Sequence, residues 1–206
     1  MTLKIYGIAA SRAIRPLWAA EELGLSYEHI PVHYNAEALK EPAYLALNPN
    51  GTVPVLDDDG LVLFESLAIT LHLARTRPHG GLWVKSSGAE SRLLQWTLWA
   101  ATEVEPLARQ RLHHTKLLPP EKRQQELADL ALAGIQARLR VLDQHLATRP
   151  YLVDDVFTVA DLNVAAVLQR LPDLGGAAFA NASGWHQRCM SRPAARRAFA
   201  LRGDAA

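Results

Sequence analysis

One cysteine in 206 residues is the first thing this sequence has little of. Cys189 stands alone, so no intramolecular disulfide, Cys-x-x-Cys redox pair or cysteine-rich zinc site can form. A reducing compartment, the cytoplasm, fits this usage, and any thiol chemistry must use a thiol supplied from outside. Charge of one sign is also missing: 22 basic and 21 acidic side chains leave a net charge of +1. That balance gives no broad field for nucleic acid or a membrane surface. No apolar run is long enough to span a bilayer, and the N-terminal segment lacks the apolar stretch and cleavage site of a signal peptide. With 49% hydrophobic and 21% charged residues, the composition is that of an ordinary globular protein of one large or two small domains.

What is present is an alternation of strand and helix patterns over residues 1–80. Leu3 to Tyr6 predicts a strand closed by Gly7. Ser11 predicts the N-cap of a helix carrying Ile14, Leu17, Trp18 and Leu23, and Gly24 predicts its end. Tyr27 to Val32 predicts a second strand, and Glu37 to Leu47 a weak helix interrupted near Pro42. After the turn-rich Asn48-Pro49-Asn50-Gly51, the segments Val53 to Leu56 and Leu61 to Phe64 flank Asp57-Asp58-Asp59-Gly60 as a β-hairpin. Glu65 then opens a helix with Leu67, Ile69, Leu71 and Leu73. The order β-α-β-α-β-β-α predicts a three-layer α/β domain. Past Pro78-His79-Gly80-Gly81 strand signals nearly vanish. Long helices are predicted over Glu90 to His114, with a kink at Pro106, and over Glu121 to Ala147, then shorter ones over Thr158 to Leu171, Trp185 to Cys189 and Pro193 to Leu201. The second domain is therefore all-helical, over residues 86–206.

Three local signals carry chemistry. At Tyr6-Gly7-Ile8-Ala9-Ala10-Ser11-Arg12 a strand ends and a helix begins, which presents backbone N–H groups and the positive end of a helix dipole. Such a junction can hold an anion, including a thiolate. A free thiol has a pKa near ~8.5, and lowering it by roughly two units favours the thiolate by about 2.7 kcal/mol. Ser11 can also serve simply as a cap. In Gly51-Thr52-Val53-Pro54-Val55-Leu56, a proline inside an apolar strand marks an edge or a cis bond that leaves the Val53 backbone available to an extended peptide. In Phe64-Glu65-Ser66-Leu67, Ser66 suits a carboxylate and Glu65 an ammonium, together an amino-acid head group. Each signal has an ordinary structural explanation, but the three together do not.

The combination resembles the glutathione S-transferase family over essentially the whole chain. The carriers are Ser11 to Glu28, with Ser11-Arg12 and Glu21-Glu22-Leu23-Gly24, then Asn48-Pro49…Val53-Pro54, and Glu65-Ser66 followed by Ala68-Ile69. The resemblance implies a thioredoxin-like N-terminal domain plus an all-α C-terminal domain, with glutathione as co-substrate. It implies a cis Pro54, a Val53 backbone that pairs with the cysteinyl part of glutathione, and Glu65 and Ser66 on its γ-glutamyl head group. Lys40 would meet the glycine carboxylate, and Thr52 replaces the longer side chain frequent before the Val-Pro pair. Ile8 stands where serine-type members often carry the catalytic hydroxyl. Ser11, Tyr6, or backbone groups and the helix dipole alone are therefore the candidates for thiolate stabilisation.

In the C-terminal half, Phe157-Thr158-Val159-Ala160-Asp161-Leu162 reads as a capping box with a hydrophobic staple. Trp99, Glu103 and His113, with Ile8, are expected to line a pocket for a hydrophobic electrophile. His113-His114 lacks partners at ligand spacing, so no metal is expected. Arg192, Arg196 and Arg197 read as a solvated face. The resemblance further implies a homodimer, conjugation of glutathione to an electrophile, and a related peroxidase activity. A non-catalytic binding or regulatory protein on the same fold is the alternative. Disulfide exchange and maleylacetoacetate-type isomerisation lack their cysteines.

Overall fold

A computed structural model of the chain describes residues 3–203. The outermost residues of the two expected domains, 1–2 and 204–206, lie outside the described residues. The chain divides into two compact units, one running to Trp83 and joined again from Ser191 onward, the other spanning Val84–Met190.

The first unit contains β1 (Leu3–Tyr6), α1 (Ile14–Glu22), β2 (Glu28–Ile30), the short α2 (Pro42–Leu45), β3 (Val55–Asp58), β4 (Leu61–Phe64) and α3 (Ser66–Thr76). The sheet order is β2-β1-β3-β4. β1 runs parallel to β2 and antiparallel to β3, and β3 and β4 form the predicted hairpin. Asp59 and Gly60 fill its two-residue turn with positive φ at both positions, as a type I′ turn requires. Alternation along β1 sends side chains to opposite faces. Tyr6 and its partner Val55 pack with Leu39 and Tyr44 on one face. Ile5 and its partner Leu56, fully buried, belong to the other, where α1 and α3 pack together. This is the thioredoxin-like arrangement expected of the first domain.

Two differences in this unit have clear causes. The predicted helix over 37–47 splits into a 3-10 turn at Glu37–Lys40 and α2, because Pro42 forces Glu41 into extended backbone. α1 begins at Ile14, not directly behind Ser11, and its N-cap position is Ala13. The Ser11 hydroxyl instead closes a local turn, donating to the Ile8 carbonyl at 2.7 Å and accepting from the Ala13 N–H at 3.1 Å.

The second unit holds α4 (Ser87–Trp99), α5 (Glu105–Leu112), α6 (Gln125–His145), α7 (Val159–Val167) and α8 (Ala180–Met190). Between α4 and α5 the chain widens into a π-turn at Ala100–Val104. Pro106 has no N–H and its ring crowds the carbonyl one turn back, and the wider turn stands where the kink is expected. The capping box at Thr158 and Asp161 forms as predicted. Among the described residues no helix is long and apolar enough to cross a membrane.

The last helix, α9 (Pro193–Ala200), packs along α1, so residues expected with the helical half join the first unit. Arg192 and Arg197 are accordingly not a merely solvated face: they pair with Glu22 at 2.7 Å and Glu21 at 2.6 Å.

The sheet is further tied to α3 by Asp58, whose carboxylate accepts from His72 at 2.8 Å and from Arg77 at 2.8 Å. Burial pushes this carboxyl up, but the Arg77 and His72 hydrogen bonds and charges outweigh it, and the group sits below its ordinary value. A depressed folded value means stability that is present above the unfolded pKa of about 3.9 and lost as pH falls through the folded value. Asp58→Asn should therefore lower stability by roughly 1–2 kcal/mol at neutral pH. It should also flatten the acid limb of a urea-midpoint profile against pH. An unchanged profile would remove Asp58 from the account.

Candidate functional site

The site grows from the loop that leaves β1. Gly7 adopts φ +122°, a region in which side-chain-bearing residues are strained, and a Cβ there would lie 2.9 Å from the Cβ atoms of both Ala13 and Val53. Only glycine lets the strand end, the start of α1 and the Val53 segment come this close. The Gly7 N–H donates to the Ile30 carbonyl at the end of β2 and the Ile8 N–H to the Val32 carbonyl just beyond it, and His29 Nε2 bonds the Gly7 carbonyl at 2.9 Å. Ile8 is buried at 6% exposure, so its side chain belongs to the core more than to open surface. Ser11, half-buried, is held by the turn described above.

The second part is the loop before β3. Asn48, buried, donates to the Thr52 carbonyl at 2.7 Å, and Tyr44 donates to the same oxygen at 2.9 Å. Burial, with Tyr6 as a smaller contributor, pushes the Tyr44 hydroxyl up to about 12, so it remains a donor. Gly51 is required here as well: φ is +59° and a Cβ would stand 3.1 Å from the Leu39 carbonyl. The Val53–Pro54 peptide is cis, and β3 pairing starts only at Val55, leaving the Val53 backbone outside the ladder. Thr52 itself is exposed.

The third part is the turn into α3. Glu65 is exposed and holds φ +69°, ψ +105°, a conformation rare for a residue with a side chain. Strain of this kind, of order 1–3 kcal/mol, persists where surrounding structure imposes it and clusters at binding sites. Ser66 is 3% exposed, and its Oγ accepts a 2.9 Å hydrogen bond from Arg15 Nη1, itself only 4% exposed. Arginine only donates. The Ser66 hydroxyl proton is therefore directed elsewhere, with a buried cation behind the oxygen.

Arg15 is the residue that sequence reasoning missed. Its signal was a cation inside an otherwise apolar helical run, Ile14 to Ala20, all of it buried. It joins α1 to α3, as Gly7 joins α1 to Val53, and so draws the Ser11 loop, Val53 and Ser66 into one region. Tyr6 packs edge-on against Tyr44, ring centroids 6.4 Å apart. Lys40 is exposed and pairs with Glu37 at 3.2 Å. In the helical unit, Trp99 meets Trp96 edge-on at 5.1 Å, Glu103 accepts from Arg138 at 2.8 Å, and His113 opens a second π-turn, His113–Leu117.

Residues 1–75 match the family model for the glutathione S-transferase N-terminal domain, and residues 108–193 that for the C-terminal domain. The chain is 32% identical over 185 residues to glutathione S-transferase GstB of Escherichia coli K12, covering 88% of this chain and 89% of that protein. It is 32% identical over 200 residues to glutathione S-transferase 4 of Zea mays, covering 94% and 90%. A theta class glutathione S-transferase from Xanthomonas axonopodis pv. citri, solved with glutathione bound, superposes with a TM-score of 0.83 at 28% identity over 96% of both chains.

Proposed function

Because the chain belongs to the glutathione S-transferase family of enzymes, we propose that it binds glutathione on its first unit and transfers it, as the thiolate, to a hydrophobic electrophile. One observation carries this reading: Gly7 and Arg15 gather the Ser11 loop, the Val53 backbone and Ser66 into one region. In the proposed complex Glu65 and Ser66 hold the γ-glutamyl ammonium and carboxylate, and the Val53 backbone pairs with the cysteinyl residue. Lys40 swings from Glu37 to the glycine carboxylate beside Thr52. The buried Arg15 charge favours a carboxylate at Ser66 and a water-poor setting strengthens it.

Ser11 is the proposed thiolate stabiliser. Its hydroxyl now donates to a neutral carbonyl, Ile8 O. Turning it to a thiolate exchanges a neutral bond worth about 1 kcal/mol for one to a charge worth about 1.5–3 kcal/mol. The gain, near 1 kcal/mol, lowers the thiol pKa by roughly one unit, and the α1 dipole adds to it. The thiol proton leaves to solvent. The sulfur then attacks the electrophilic carbon, a C–S bond forms, and the leaving group departs with its electron pair. A peroxide in the electrophile's place would be reduced to the alcohol, a second glutathione releasing the first as the disulfide with loss of water. A cytoplasmic homodimer completes the reading.

Conjugation to chlorodinitrobenzene tests it, together with the ultraviolet absorbance of the bound thiolate against pH. Ser11→Ala should raise the bound thiol pKa by roughly one unit and slow turnover at neutral pH by about tenfold, with glutathione affinity little changed. Tyr6→Phe should leave the thiol pKa in place. The reverse pattern would transfer the role to Tyr6.

A further inference from the structure

The C-terminal helix is fastened to α1 and to the Ser11 loop by a ladder of contacts, all inside the first unit. Arg192, at the N-cap of α9, donates from Nε and Nη2 to both oxygens of Glu22 at 2.7 and 2.8 Å. The Glu22 side chain, 6% exposed, also accepts from the Trp18 indole at 2.9 Å. One turn on, Arg197 donates to Glu21 at 2.6 Å. Phe199 then packs edge-on against the fully buried Trp18, centroids 6.0 Å apart. Arg202 is the last rung. Its guanidinium lies 4.4 Å from the Phe199 ring centroid, and its Nε donates to the carbonyl of Ala9 at 3.1 Å.

That final contact falls within the β1–α1 loop, two residues before Ser11. A trans peptide is planar, with C=O and the following N–H on opposite sides. Fixing the Ala9 carbonyl on Arg202 therefore turns the Ala10 N–H away from α9, and the charged donor polarises the same peptide unit. Phe199 holds the guanidinium in place by a cation–π contact. The loop's orientation is thus set from the far end of the chain, by a residue whose side chain has no part in the three signals of the sequence.

We propose that Arg202 is a positioning residue for thiolate formation: through the Ala9 carbonyl it holds the Ala10 N–H and the Ser11 turn in the orientation that meets the glutathione sulfur. The inference rests on the glutathione reading above. A loop held in advance stabilises a developing anion without reorganising, whereas small misplacements of such donors are costly.

The test compares Arg202→Ala, Arg202→Lys and Arg197→Ala with the wild type. Three quantities are read: the pKa of the bound glutathione thiol, kcat and KM for conjugation, and amide exchange over residues 8–12 in the unliganded protein. Arg202→Ala should raise the thiol pKa, lower kcat at neutral pH by about five- to tenfold with KM for glutathione within about twofold, and speed exchange in the loop. Arg202→Lys, which can still donate to Ala9, should recover much of kcat. Arg197→Ala, which loosens α9 without touching the loop, should lower Tm but leave the thiol pKa alone. A purely structural role would move Tm in both alanine variants and the thiol pKa in neither, and that result overturns the proposal. If the wild type binds no glutathione, the parent reading fails; normal binding with an unshifted thiol pKa in Arg202→Ala defeats this inference alone.

Discussion

Asp161→Ala should destabilise the protein by about 3–5 kcal/mol and lower Tm by roughly 10 °C. Asp161 is fully buried. One carboxylate oxygen accepts from the Leu152 N–H at 2.9 Å and the Trp185 indole at 2.8 Å. The other accepts from the Thr158 N–H at 2.9 Å and the Thr158 hydroxyl at 3.1 Å. This one side chain thus satisfies the start of α7, the segment before it and the fully buried Trp185 of α8. Alanine strands two backbone donors and an indole N–H in the core, each costing about 1–3 kcal/mol if left unmade. Asp161→Asn keeps one oxygen and sets an amide against two of the donors, so it should recover only part of the loss. Thermal melts of the three proteins decide the point, and a shift of a degree or two in the alanine variant would contradict it.

Ser66→Ala should weaken glutathione binding by roughly 10- to 100-fold while leaving the fold intact, since a hydrogen bond to a charged group is worth about 1.5–3 kcal/mol. Arg15 already occupies an acceptor position of the Ser66 oxygen, so the hydroxyl can offer its proton to a ligand carboxylate. The substitution removes that donor and the group through which the buried Arg15 acts. Calorimetric affinities for glutathione should fall by this factor. Full affinity in Ser66→Ala would move the γ-glutamyl subsite elsewhere.

Much of this was legible in the sequence because it rests on local chemistry. The β3–β4 hairpin follows from Asp59-Gly60, the α7 cap from Thr158 and Asp161, and the Glu65-Ser66 turn from an acid and a serine at a helix start. What was not legible depends on partners far away in the chain. Ser11 looked like a cap because its identity fits one, but the bond it makes to Ile8 closes a turn that delays α1 to Ile14. Arg15 meets Ser66 across 51 residues, and a cation in an apolar helical run does not by itself reveal its distant partner. Arg192 and Arg197 looked solvated because their acceptors, Glu22 and Glu21, lie on a helix 170 and 176 residues earlier. The π-turn before Pro106 adds one residue to a helical turn, too small a change for apolar periodicity to reveal.

The most direct test of the central claim is a calorimetric titration of glutathione into the wild-type protein. The account predicts saturable binding with a dissociation constant of about a millimolar or tighter, kept in Ser11→Ala and lost or greatly weakened in Ser66→Ala. No binding heat at glutathione concentrations well above a millimolar would contradict it, and the region gathered by Gly7 and Arg15 would then have to serve another ligand.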